Sequence, residues 1–166
     1  MYLKCKELCE VMNKMNNIRQ ATPADIARVA EIEIFNYRLN FYPIFLCDEF
    51  YFGDKQVPKE MKRYETEEGL LQNTYVYDDG VVKGFIQLDG TKVAKLFVEP
   101  VLQGQGIGAK LLEFAVAQKQ VTHLWALEKN VKAIKFYERH GFYVTEEKEL
   151  EEDTTEYLVK LEKKYE

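Results

Sequence analysis

Six consecutive residues, Gln103-Gly104-Gln105-Gly106-Ile107-Gly108, carry the sharpest chemical signal in the chain. Three glycines alternate immediately before a stretch in which Ile107, Leu111, Leu112, Phe114 and Ala115 recur at helical spacing to about Gln120. Glycine reaches positive φ and lets the backbone come close to a ligand. The first amides of a helix, at the positive end of its dipole, favour a phosphate or pyrophosphate. A capped glycine turn competes well with this reading for two glycines and poorly for three. No Gly-Lys-Ser/Thr occurs in the loop, which excludes a Walker A site. Gly104, Gly106 and Ala109 formally fit the relaxed dinucleotide pattern GxGxxG/A. That pattern follows its strand directly inside a parallel βαβ unit. Here Glu99 to Gln103 intervenes and the preceding elements read as antiparallel hairpins, so the dinucleotide reading is minor.

Other residues able to do chemistry are scattered. Glu33, Glu99 and Glu128 could each take a proton, but each reads more readily as a solvated surface acid than as a base, and none is assigned. His123 falls within a strand and reads as structural. His140 precedes Gly141 and reads as a helix cap. Lys110 and Lys135 could approach phosphates, as any exposed lysine could. Tyr137, beside Phe136, reads on its own as a core aromatic. Cys5, Cys9 and Cys47 form no even framework and no CxxC pair, which points to reduced thiols in a cytoplasmic protein and to no metal site.

The elements that position these residues follow from period and punctuation. A strand is expected over Asn17–Ala21. Thr22-Pro23-Ala24-Asp25 opens a helix that runs to about Leu39. Phe41–Phe52 is dense in aromatics, with Pro43 making a turn ahead of a short helix. Phe41, Tyr42, Phe45, Phe50, Tyr51 and Phe52 are candidates for either pocket wall or core. A charged helix is expected over Lys59–Asn73. The period then changes to two: Tyr75 and Tyr77, an Asp78-Asp79-Gly80 turn, Val82–Leu88, an Asp89-Gly90 turn and Val93–Val98 read as three antiparallel strands. After the glycine loop and its helix come a strand at Val121–Leu127, a helix at Val131–Arg139 stopped by Gly141, and a closing hairpin of Phe142–Lys148 and Glu156–Leu161. Residues 1–14 read as an N-terminal appendage, and residues 15–166 as one domain.

With 166 residues, 46% hydrophobic and 13% aromatic, the chain can bury a core and is not disordered. Lys and Arg number 23 against 28 Asp and Glu, a net charge of −5. Nucleic-acid binders need a cationic footprint for the phosphates, so nucleic acid is not the expected partner. No apolar run approaches the ~20 residues that span a bilayer, and no membrane partner or secretory signal is read.

Gln103-x-x-Gly106-x-Gly108, preceded by Leu96-Phe97-Val98-Glu99-Pro100, resembles the acyl-CoA signature of the GCN5-related N-acetyltransferases (GNAT). Asn130, Ala133, Phe136-Tyr137 and Gly141-Phe142 are similar to that family's second motif. The resemblance covers about Ile18 to the C-terminus and is densest over residues 93–143. It implies that backbone groups of Phe97 and Val98 pair with the pantetheine arm, and that Gln103 and the amides of Gly104, Gln105, Gly106, Ile107, Gly108 and Ala109 form the pyrophosphate site. It implies that Asn130 bonds the arm or the nucleotide side, and that Tyr137 directs its hydroxyl at the thioester sulfur. A departing thiolate benefits from such a proton donor.

The expected fold is α+β, a central mixed, mostly antiparallel sheet with helices on both faces and a splay between the fourth and fifth strands. The expected activity is acetyl transfer from acetyl-CoA to an amine, small molecule or protein, by direct attack, since no cysteine lies near either motif. A non-catalytic acyl-CoA-binding or regulatory module is the alternative. A homodimer is left open.

Overall fold

Between residues 74 and 98 the apolar residues alternate, and two Asp-containing corners interrupt them. In the computed structural model, which describes residues 17–164, this stretch forms β2 (Thr74–Asp78), β3 (Val82–Asp89) and β4 (Lys92–Val98), preceded by β1 (Ile18–Gln20). The sheet is completed by β5 (His123–Leu127), β6 (Phe142–Leu150) and β7 (Tyr157–Lys163), in the order β1-β2-β3-β4-β5-β7-β6. Every neighbouring pair is antiparallel except β4 with β5, so the sheet is mixed and mostly antiparallel. The expected N-terminal appendage, residues 1–14, lies outside the described residues.

Helices cover both faces. α1 (Ile26–Asn40), the single turn α2 (Tyr42–Phe45) and α3 (Val57–Thr66) belong to one side, where Val29, Ile32 and Tyr64 pack on Val76 and Phe85. On the other side α4 (Ile107–Lys119) and α5 (Val131–Arg139) bury Leu111, Leu112, Ala115 and Tyr137 against Ile86, Leu124 and Leu161. Burying one such side chain contributes about 1.5–3 kcal/mol, whereas an exposed ion pair contributes about 0–1 kcal/mol. The two apolar layers therefore hold the sheet.

Three expectations are corrected. The charged helix starts at Val57 and ends at Thr66, seven residues short of Asn73. Glu65, Glu67 and Glu68 crowd its C-terminal end, where the dipole disfavours negative charge; turns then lead into β2. Pro43 stands inside the first turn of α2 rather than ahead of it, the helical position where a missing N–H costs nothing; a wider π-type turn, Glu49–Asp54, follows. β5 begins at His123 rather than Val121, because Gln120 takes a left-handed conformation (φ 55°) that closes α4.

Candidate active site

The parallel pair β4 and β5 is joined only at Lys92 and Val93, opposite His123 and Leu124. Past those residues the strands diverge. The Glu99 amide donates to the Lys83 carbonyl at 2.8 Å, and Phe97 stands opposite Phe85. The strict alternation of an antiparallel pair then turns the amide and carbonyl of Phe97 toward β3, and those of Leu96 and Val98 toward the gap. Phe97 was expected to offer its backbone to a ligand. The register turns the Leu96 backbone, not that of Phe97, to the gap, and Phe97 instead places its ring against Tyr37, Phe41 and Phe85. On the opposite bank the Glu128 amide donates to the Tyr157 carbonyl at 2.9 Å, so the same alternation turns the amide and carbonyl of Trp125 toward the gap. The gap opens into a cleft of about 1630 Å³ that crosses the sheet, lined by residues including Leu96, Val98, Ala126, Gly106, Ala109 and Tyr137.

The glycine loop closes one end of the cleft. Gly104 and Gly106 both have φ 81°, and a Cβ built on either meets no atom within 4 Å. Their conformation demands glycine, and the space before them is open. Gly108 differs: its φ is not positive, and its Cβ would rest 3.5 Å from the Phe136 ring, so this glycine answers to helix packing. Gly106 is the N-cap of α4 and supplies no side-chain cap; the first turn holds no acid. The Lys110 amide donates to Gly106 at 3.1 Å, which leaves the amides of Ile107, Gly108 and Ala109 without an intrahelical acceptor. Such a set of donors at a helix start suits a phosphate. Ile107 faces the core, Ala109 the cleft, and Gln105 is exposed.

Gln103 proves to be a clamp. Its Nε2 donates to Asn36 Oδ1 (3.2 Å) and to the Val98 carbonyl (3.3 Å), and its Oε1 accepts from Lys132 Nζ at 2.9 Å. Asn36, buried on α1, donates to the same Val98 carbonyl at 2.9 Å. The loop is thereby tied to α1, β4 and α5 at once.

α5 brings the second group of residues. Asn130 Oδ1 accepts the Ala133 amide at 3.2 Å and caps the helix; the residue also lines the cleft. Tyr137 lies among Phe136 and Phe142, with ring centroids at 5.2 and 5.9 Å. It lines the cleft, and its hydroxyl makes no hydrogen bond among the described residues. Burial pushes its ionisation far above that of an ordinary tyrosine, so the proton stays on the oxygen. The candidate acids are all engaged: Glu99 with Arg28 at 2.7 Å, Glu128 with Lys148, and Glu33 with Lys95 and Tyr64. His140 Nδ1 bonds the Phe136 carbonyl at 2.7 Å, within its own helix, and His123 Nδ1 bonds Thr122.

Residues 71–144 match the family model described as an acetyltransferase (GNAT) domain. The stretch from β2 through α5 is thus similar to a GNAT acetyltransferase domain. Over 77 residues it is 35% identical to the peptidyl-lysine N-acetyltransferase YjaB of Salmonella typhimurium, a match covering 46% of this chain and 53% of that protein. The chain thus spans about half the length of the curated relatives it matches. The solution structure of apo YjaB from Escherichia coli superposes with a TM-score of 0.64 at 19% identity, over 87% of this chain and 95% of that one. The structure of yncA, a putative acetyltransferase from Salmonella typhimurium with its cofactor acetyl-CoA, superposes with a TM-score of 0.60 at 22% identity, over 87% and 91%.

The other mouth of the cleft is lined from α1 to α3 and the turn before β7. Phe41, Phe45, Phe50 and Tyr51 line it, whereas Tyr42 and Phe52 do not: Tyr42 bonds Asp48 and Phe52 lies under Arg38. Beneath the aromatics sits a charge cluster that sequence reasoning missed. Glu33, fully buried, accepts from Tyr64 Oη at 2.8 Å and from Lys95 Nζ. Glu60, also buried, accepts from Lys55 Nζ at 3.1 Å and Arg63 Nε at 2.6 Å. Burial alone would raise the Glu60 carboxyl, but Lys55, Lys95 and Arg63 outweigh it and hold the pKa low. Burial lowers the Lys95 ammonium despite Glu33. The one signal available in the sequence was Glu60 and Arg63 at i, i+3 on a helix face, which reads as a solvated pair until β4 supplies Lys95.

Proposed function

We propose that the chain is an N-acetyltransferase that moves an acetyl group from acetyl-CoA to an amine by direct attack. The observation that carries this reading is the divergence of β4 and β5, with unpaired main-chain groups on both banks, a phosphate-ready helix start at one end and Tyr137 in the wall. The name of YjaB supports an amine acceptor, and the acetyl-CoA held by yncA supports the co-substrate. Bound acetyl-CoA would supply an activated acetyl thioester. The amides of Ile107, Gly108 and Ala109, behind the glycine turn, would hold the pyrophosphate, and the backbone of Leu96 with the amide of Val98 the pantetheine arm. Tyr137 would donate its proton to the leaving sulfur. The cysteine pattern supports a cytoplasmic setting.

Acetyl-CoA should raise the melting temperature, while NAD and ATP at matched concentration should not, because only a ligand of the native state stabilises it. Free thiol should then appear when amines are added. A shift with NAD alone would overturn the reading. Binding of acetyl-CoA with no thiol release from any amine would leave the acyl-CoA-binding module instead.

A further inference from the structure

The cluster beside the acceptor mouth has more donors than acceptors. Four carboxylate oxygens are present, two on Glu33 and two on Glu60, and each already accepts from a named partner: Tyr64, Lys95, Lys55 or Arg63. Against the two buried carboxylates stand three cations, Lys55, Arg63 and Lys95, all lining the cleft, with the exposed Glu67 3.8 Å from Arg63 on its outer side. Arg63 Nη2 is buried with no hydrogen-bond partner, 3.7 Å from Glu33. A buried donor left unmade costs about 1–3 kcal/mol, so the buried wall carries an unspent donor and a positive charge that only the exposed, solvent-screened Glu67 offsets. Another part of the lining, an acidic lip, comes from the turn before β7: Glu151, Glu152 and Asp153 line the same cleft, with burial and the neighbouring acids Glu149 and Glu152 raising the Glu151 carboxyl. Phe41, Phe45 and Tyr51 line the same cleft.

We propose that the acceptor is a small amino carboxylate with an apolar body, its carboxylate held by Lys55, Lys95 and Arg63 and its amine turned to the acidic lip; this rests on the acetyltransferase reading for turnover. The acetyl group would leave sulfur for the amine nitrogen, giving an N-acetylamino carboxylate and CoA thiol, with the surplus amine proton passing to solvent. A cationic wall does not suit a diamine or a lysine side chain, whose charge is positive throughout. It suits a zwitterion, which offers each lip its counter-charge.

The test compares L-phenylalanine and L-leucine with their methyl esters, with phenethylamine and isopentylamine, and with an amidated lysine peptide, by thiol release from the wild-type protein. The free amino acids should lead in kcat/KM by about 10–100-fold, because a site built to bond a polar group rejects the analogue lacking it. The ester amine loses its proton more easily, so a slower ester isolates the carboxylate as the cause. Lys55→Gln should raise KM for the amino acid and shrink its lead over the amine, with KM for acetyl-CoA unmoved. Esters, amines or the peptide turned over as fast as the amino acids would overturn the proposal and leave the acetyltransferase standing. Binding is read separately: L-phenylalanine should raise the melting temperature and phenethylamine should not. The reverse result would overturn the proposal even if no turnover is seen.

Discussion

Tyr137 keeps its proton through the same burial that makes it resemble a core residue. Its ionisation lies well above the ordinary tyrosine value, so it keeps its proton through any neutral or mildly alkaline assay. Tyr137→Phe preserves the packing on Phe136 and Phe142 and should lower kcat by about 10²–10⁴-fold, with KM for acetyl-CoA nearly unchanged. Because the hydroxyl does not titrate in that range, the deficit should be the same at about pH 6 and pH 9; a loss that grows or vanishes with pH in a rate profile would contradict the assignment. The glycines separate by the same kind of reasoning. Gly106→Ala forces a side chain into the left-handed region at about 1–2 kcal/mol and places a methyl group in the open cradle, so both melting temperature and acetyl-CoA affinity should fall. Gly108→Ala removes a helix glycine at no steric cost beyond an ordinary contact with Phe136; its melting temperature should rise, reflecting a stability gain of about 1 kcal/mol at most from helix propensity. Thermal unfolding of the two variants side by side checks the distinction.

The cradle is only as rigid as the elements that meet at Gln103, which touches α1, β4 and α5 through one amide group. Gln103→Leu keeps the volume and removes the ties. Asn36 still serves the Val98 carbonyl, so unfolding should cost only about 0.5–1.5 kcal/mol, while the dissociation constant for acetyl-CoA, measured by titration calorimetry, should rise more than that cost implies. Much of this layout was legible beforehand. Alternation from Tyr75 to Val98 gave the hairpins, and three glycines ahead of an apolar stripe gave the helix start. What was not legible depended on partners distant in the chain. Whether Phe97 or Leu96 presents its backbone is decided by register against β3, and one residue of slip exchanges them. Lys55, Glu60, Arg63 and Lys95 look like surface charges along the sequence, and only the stacking of α1 and α3 on β4 buries them around Glu33. The short reach of α3 reflects negative charge at a helix end, which hydrophobic spacing does not register.

Taken as a whole, the molecule depends on clamps at its margins as well as on its core. Arg19 on the edge strand β1 bonds Asp25, at the entry to α1, through two contacts of 2.7 and 2.9 Å, and Asp78 on β2 at 2.8 Å. The Arg19 hydrogen bonds hold the Asp25 carboxyl down to about 2. Since its folded pKa lies below the unfolded value of 3.8, the pair contributes stability above about pH 4, and that contribution is lost as the pH falls toward 2. Asp25→Asn should therefore be less stable than wild type near pH 7 by about 1–2 kcal/mol, the exposed side of Arg19 keeping the figure low. Denaturant melts at descending pH should show the two curves converging. The divergence of β4 and β5 has a further consequence, in time rather than in space. The sheet is two plates, β1 to β4 and β5 with β7 and β6, joined by an isthmus of two residue pairs. Along the rest of the seam the amides of Leu96, Val98 and Trp125 have no opposite strand to shelter them, so deuterium should enter there far sooner than in the middle of either plate. A molecule lying in the seam acts as a stitch between the plates, and its arrival should slow exchange on both banks together while the centres of the plates stay as they were.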